Sequence, residues 1–310
     1  QPTYKDKDLR KAVALEKAKA QDETEVFAND SKKKIYMHWM YDVPMGEQLD
    51  DDGDSLESIE GCLTDAQYNR DEHRKAVIDD ILDNWVSQSH NGKFHAILAT
   101  SSIPEAIKYY KLFAQRDCGL KTTAVFDPSD GNNESSIEKI DGIAQMLEDY
   151  NSLFGTCFNI SGYASFKRDV CARLAHKTPY TAVENEPSKC LDILIVVDQM
   201  LTGYDSKWLN TLYMDKFYKW SNIEMIIQGI SRTNRVFNDD KPHGIIRYYR
   251  RPYTMKNIIE YAFEQYSGQK PYGIFVAKLI QNLENMNAAF SDINDIFKIA
   301  GIPDFFKTSR

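Results

Sequence analysis

The sequence predicts an α/β chain, a parallel sheet flanked by helices, followed by a helical C-terminal region. Two observations carry this. From residue 93 onward short apolar runs alternate with amphipathic stretches, the order that pairs strands in parallel and lays helices over both faces. From residue 255 onward helical periodicity stands alone. The expected organisation is a charged segment with helices and an acidic linker over 1–90, the sheet domain over 91–252, and a helical region over 253–310.

The elements follow in order. Residues 12–20, rich in Ala, Lys and Glu, read as an exposed helix, and 35–40 as a strand or a packing segment. Residues 49–60 read as a solvated acidic loop. The run Asp50-Asp51-Asp52-Gly53-Asp54 invites a calcium-loop reading, but with Gly53 as the loop glycine Gln48 and Ile59 occupy positions that need carboxylates. Residues 71–86 put Ala76, Val77, Ile81, Leu82, Trp85 and Val86 on one helical stripe. Its opening Asp71-Glu72-His73-Arg74 imitates a Mg-binding acidic box. Such a box must end a buried apolar strand, which Ala66-Gln67-Tyr68-Asn69-Arg70 cannot form, whereas acidic residues suit a first helical turn.

A strand is expected over 94–99, ending at Thr100-Ser101-Ser102, then a helix over 104–115 opened by Pro104. A strand over 122–126 and a polar loop lead to helices over 136–150 and 166–175. The most apolar strand covers 191–198, another 209–214, a helix 223–233 and a last strand 244–249. Helices over 255–266 and 275–290 follow.

With 42% hydrophobic residues among 310, the chain can bury a full core. Lys and Arg number 38 against 46 Asp and Glu, a net charge of −8, which excludes a protein that coats DNA through bulk charge. The imbalance is local. Residues 50–83 hold 12 acidic and three basic side chains, whereas 230–256 hold seven basic and two acidic, so a phosphate-reading cleft stays open. The five cysteines are widely spaced with no C-x-x-C pair, and the six histidines form no ligand pattern, so a reduced cytoplasmic protein without a metal centre is expected. No apolar run is long enough to span a bilayer, and no signal segment opens the chain. A start at Gln1 fits a fragment or a processed product.

A phosphate-binding loop is missing: Gly92-Lys93 is followed by Phe94, with Ser87 where the first glycine belongs. The chemistry-bearing residues lie further on. Gln228-Gly229-Ile230-Ser231-Arg232-Thr233-Asn234-Arg235 places two arginines three apart at a helix end, on one face, able to address one anion. Guanidinium suits that task because it is permanently charged and bidentate toward phosphate. Upstream, the strand ending Val196-Val197-Asp198 runs into Leu201-Thr202-Gly203-Tyr204-Asp205. Turns beyond a parallel strand bind ligands in open α/β sheets, and Gly203 permits close backbone approach.

In this order, and with Leu209-Asn210-Thr211-Leu212-Tyr213-Met214-Asp215-Lys216 between them, these segments resemble motifs V and VI of superfamily 2 helicases. In detail they resemble the restriction (R) subunit of type I restriction–modification enzymes, as do Tyr150-Asn151-Ser152-Leu153-Phe154-Gly155-Thr156 and Glu264-Gln265-Tyr266-Ser267-Gly268. The likeness is specific over about residues 90–270, with Ser206-Lys207 where the family often has Ala-Pro.

The resemblance implies the second RecA-like domain of an ATP-dependent DNA translocase that precedes cleavage. ATP and Mg2+ would be held mainly by a first RecA-like domain outside this chain. It implies Arg232 and Arg235 as arginine fingers, Gln228, Gly203 and Asp205 at the nucleotide, and Thr100, Ser101, Ser102 and Thr202 at the DNA backbone. Double-stranded DNA, methyltransferase and specificity subunits, and the nuclease domain would be the partners. Two other readings stay open: the motor half of a type III restriction subunit or other superfamily 2 helicase, and a non-catalytic fragment that docks a protein.

Overall fold

The computed structural model describes residues 5–116, 118–126, 136–197, 205–237, 240–266, 286–291, 293 and 296–298. Two compact units are present, Gln1–Ala262 and Phe263–Arg310. Most of the helix expected over 275–290 lies outside the described residues, and residues 286–291 are helical.

In chain order, α1 (Asp6–Lys17), α2 (Glu23–Phe27), α3 (Asp30–Met37), α4 (Asp65–Tyr68) and α5 (Asp71–Gln88) precede β1 (His95–Thr100). Then come α6 (Ile103–Gln115), β2 (Thr122–Val125), α7 (Ser136–Phe154), α8 (Tyr163–Leu174), β3 (Ile193–Val196), β4 (Leu209–Asp215), α9 (Ile223–Ser231), β5 (Ile245–Tyr248) and α10 (Pro252–Tyr266).

The sheet is parallel throughout and ordered β2-β3-β1-β4-β5. Ala99 stands opposite Val196 on one side and Met214 on the other, so β1 is central. Every residue of β1, β3 and β4 is buried. Since alternate residues point to opposite faces, burial of all of them means that both faces are covered. This is the parallel sheet flanked by helices that the sequence predicts.

Local chemistry sets the helix boundaries. Ser102 accepts from the Glu105 amide at the start of α6, and Pro104 occupies the first turn, where no amide partner is lost. Asp22 caps α2 and Asn29 caps α3. On α5, Val77, Ile81 and Trp85 recur at intervals of four on the buried face. Asp71 and Glu72 fall in its first turn.

Leu9, Val13, Val26, Tyr36, Trp39, Ile59 and Leu63 form one buried cluster ahead of α5. The segment 35–40 is helical, not a strand, and it buries Tyr36 and Trp39 there. The acidic loop is exposed at Asp50–Asp54, where the Asp50 carboxylate accepts from the amides of Asp52 and Asp54, 3.0 and 2.8 Å, closing its own turn. Its last residue departs from the solvated expectation. Glu60 is fully buried and accepts from the amides of Tyr253 and Thr254, 3.2 and 2.7 Å, the open donors of the first turn of α10.

Candidate nucleotide and DNA site

Arg232 and Arg235 sit differently from the sequence expectation. The helix ends at Ser231 rather than at 233, because Thr233 turns back on it: its amide and its hydroxyl both donate to Ile230 O, at 3.1 and 2.9 Å. Arg232 is thus the C-cap, and Arg235 stands beyond the helix on a loop. Gly244 holds this turn tight, since a Cβ there would lie 2.3 Å from Thr233 Oγ1.

Asp205 joins them. Its carboxylate pairs with Arg235 Nε at 2.5 Å, both side chains about half exposed. Burial lowers the Arg232 pKa, Asp205 opposes that shift, and Arg235 adds to it, so all three charges feel one another. Two guanidiniums and one carboxylate are thus brought within electrostatic reach of one another. Gln228, exposed on α9 one turn before Arg232, shares its face.

The segment following Asp205 is fixed at the amino-terminal edge of the sheet. Ser206 Oγ donates to Leu174 O and accepts from the Trp208 amide, both 3.1 Å, and Trp208 O accepts from the His95 amide at the start of β1. The Trp208 ring stacks on His176 at 4.0 Å and meets Phe237 at 4.5 Å, joining the approach to β4 with the loop after α9.

Thr100, Ser101 and Ser102 lie at the opposite, carboxyl-terminal edge. Thr100 is fully buried and donates its hydroxyl to Val196 O at 3.1 Å, while Ser101 and Ser102 keep partial exposure. Thr202 and Gly203 lie outside the described residues. Among the described residues no group of three His, Cys, Asp or Glu side chains could hold a metal ion.

The basic stretch 230–256 proves largely neutralised from within. Arg247 pairs with Asp80 at 2.5 Å, Arg250 with Asp215 and Arg251 with Glu47 at 3.5 Å. Its sequence excess is therefore not a free positive surface; Asp80, from the acidic segment, answers part of it. Asp215 ends β4 and takes four hydrogen bonds: Arg250 Nε and Nη2 at 3.0 Å each, His73 Nε2 at 2.7 Å and the Tyr109 hydroxyl at 2.9 Å. The imitation acidic box is thus structural, with Arg74 bidentate on buried Glu105 of α6. No spacing in the sequence signals these pairs, because partners stand 31 to 204 residues apart.

The Tyr150–Thr156 motif is also architectural. Tyr150 OH donates to Asp169 at 2.6 Å and accepts from Arg173 Nε at 3.0 Å. Asn151 Oδ1 accepts from the Thr156 hydroxyl and the Phe158 amide, closing the turn after α7.

The profile of the family described as "Type I restriction enzyme subunit R domain 3" matches residues 92–251. Among similar proteins, the type I restriction enzyme SsaAORF53P endonuclease subunit of Staphylococcus saprophyticus is 32% identical over 213 residues, 66% of this chain and 22% of its own length. The SauMRSORF196P endonuclease subunit of Staphylococcus aureus is 30% identical over 200 residues, 62% of this chain and 20% of its own. The HindI endonuclease subunit of Haemophilus influenzae is 42% identical over 60 residues, 19% of this chain and 5% of its own. The chain thus spans about a fifth of the length of the first two relatives. A solved structure, the C-terminal part of the Fun30 ATPase domain, aligns over 82% of this chain and 66% of its own with a TM-score of 0.33 and 12% identity.

Proposed function

The chain belongs to the family of domain 3 of the type I restriction enzyme subunit R, and from that footing we propose that it is the second motor domain of such a subunit. Its work would be to complete an ATPase cleft and carry double-stranded DNA past the enzyme before cleavage. The observation that carries this reading is the convergence of Asp205, Arg232 and Arg235.

Arg232 and Arg235 reach across the cleft to the triphosphate and stabilise charge on the transferring phosphoryl group, the role of an arginine finger. Gln228, on the same face, orients or senses the γ-phosphate. Mg2+, held mainly by the first RecA-like domain, would neutralise phosphate oxygens. A phosphate competes with the Asp205 carboxylate for Arg235. Asp205, Gly203 and Thr202 belong to one short segment, so release of Asp205 couples the nucleotide to the loop that carries Thr202. Thr202, Ser101 and Ser102 hold backbone phosphate through hydroxyls and amides, and Thr100 fixes the loop from beneath. Methyltransferase and specificity subunits would supply recognition, and the nuclease domain of the same subunit would supply the cut, in the cytoplasm.

The test is ATP turnover by the complete enzyme carrying Arg232→Ala or Arg235→Ala. Loss of a finger is expected to cost about 10³-fold or more in turnover, with the thermal midpoint unchanged. Near-normal turnover in either variant overturns its assignment.

A further inference from the structure

We propose that Lys241 is a positioning residue for Arg235, its buried ammonium pinning the main chain from which that guanidinium projects. This rests on the arginine-finger reading above. Lys241 has no exposed surface, and its Nζ donates to Arg235 O at 2.7 Å and to Lys207 O at 3.3 Å. The two carbonyls belong to different segments, the loop after α9 and the approach to β4. Asp205, two residues before Lys207, pairs with the Arg235 side chain. Arg235 is therefore held twice against the same segment, through its carbonyl by Lys241 and through its guanidinium by Asp205.

The surroundings show why a lysine is informative here. Phe237 and Lys241 exchange backbone hydrogen bonds of 3.0 and 3.1 Å, bringing Lys241 back beneath Arg235. Phe237 packs on Phe94 at 5.5 Å and on Trp208 at 4.5 Å, forming an apolar wall beside it. Among the described residues no carboxylate forms an ion pair with Lys241, and burial pulls its pKa down to about 8. An ammonium buried without a counter-ion is costly, and a methionine would fill the same space without that cost. What methionine cannot do is hold two carbonyls. When a phosphate displaces Asp205, the carbonyl anchor is the one that remains, and it keeps the guanidinium aimed.

The experiment is a double-mutant cycle on ATP turnover by the complete enzyme, with Lys241→Met, Arg235→Ala and both together. Lys241→Met is expected to lower kcat by about 10- to 100-fold, the scale of a small misplacement, with KM little changed and the thermal midpoint kept. In the Arg235→Ala background it should cause no further loss. Lys241→Gln, which keeps an N–H donor, should recover part of kcat, and it carries the same cycle if the Met variant fails to fold. Near-normal kcat for the Lys241 variants, while Arg235→Ala is inactive, overturns the positioning role and leaves the finger intact. An equal fold-loss in both backgrounds overturns it as well, assigning Lys241 to structure alone. Normal turnover in Arg235→Ala overturns the finger reading itself, whatever the Lys241 variants do.

Discussion

Arg250 grips Asp215 with two parallel hydrogen bonds of 3.0 Å, Nε to one carboxylate oxygen and Nη2 to the other, with both side chains buried. The pair fastens the chain just beyond β5 to the end of β4, and His73 draws α5 onto the same carboxylate. Removing one partner of such a pair strands the other charge in the interior. Arg250→Ala is expected to cost about 3–5 kcal/mol, read as a shift in urea midpoint at neutral pH.

Acid should weaken the same contact. Burial alone would raise the Asp215 pKa, but the hydrogen bonds from His73 and Arg250 outweigh it and hold the carboxyl at about 2, below its ordinary 3.8. A depressed carboxylate contributes stability that is complete above pH 3.8 and fades as pH falls through 2. The contribution is about 2 kcal/mol. The stability gap between the native chain and Asp215→Asn should therefore narrow from pH 5 to pH 2.5 in urea titrations.

Lys241 shows the same sign of pH dependence in a higher window, for a different reason: burial disfavours its charged form. Burial lowers its pKa from 10.5 to about 8. Between those values the unfolded chain binds a proton that the folded chain does not, so stability rises with pH across this window. Measured against Lys241→Met, the native chain should gain up to about 3 kcal/mol from pH 8 to pH 10.5. A gap that stays flat would contradict a buried ammonium at this position.

Gly244→Ala tests the turn that places Arg235. The new Cβ would lie 2.3 Å from Thr233 Oγ1 and 2.5 Å from Thr233 O, so the turn must shift. A destabilisation of about 1–3 kcal/mol is expected, read from the thermal midpoint, together with a fall in ATP turnover of the complete enzyme.

The Asp205–Arg235 pair should matter little to stability. Both side chains are about half exposed, so solvent screens them. A double-mutant cycle on unfolding should return less than about 1 kcal/mol of coupling. A larger value would mean that the contact serves the fold rather than the nucleotide.

The sequence by itself determined the sheet and named candidate residues for meeting phosphate. The run Ile193–Val196 is apolar enough to be buried on both faces, and strand–helix alternation leaves parallel pairing as the natural outcome. Pro104 signals the start of α6, because its fixed backbone angle and missing amide suit a first helical turn. Tertiary structure decided what lies far apart along the chain. It buried Glu60 beneath α10, set His73 and Arg250 on Asp215, and brought the Lys241 ammonium onto both the Arg235 and the Lys207 carbonyls. Local rules reach about one helical turn, and a charge finds its partner only when packing brings distant segments together. The chain's own pattern therefore named the arginines, and the packing of distant segments decided how Arg235 is held.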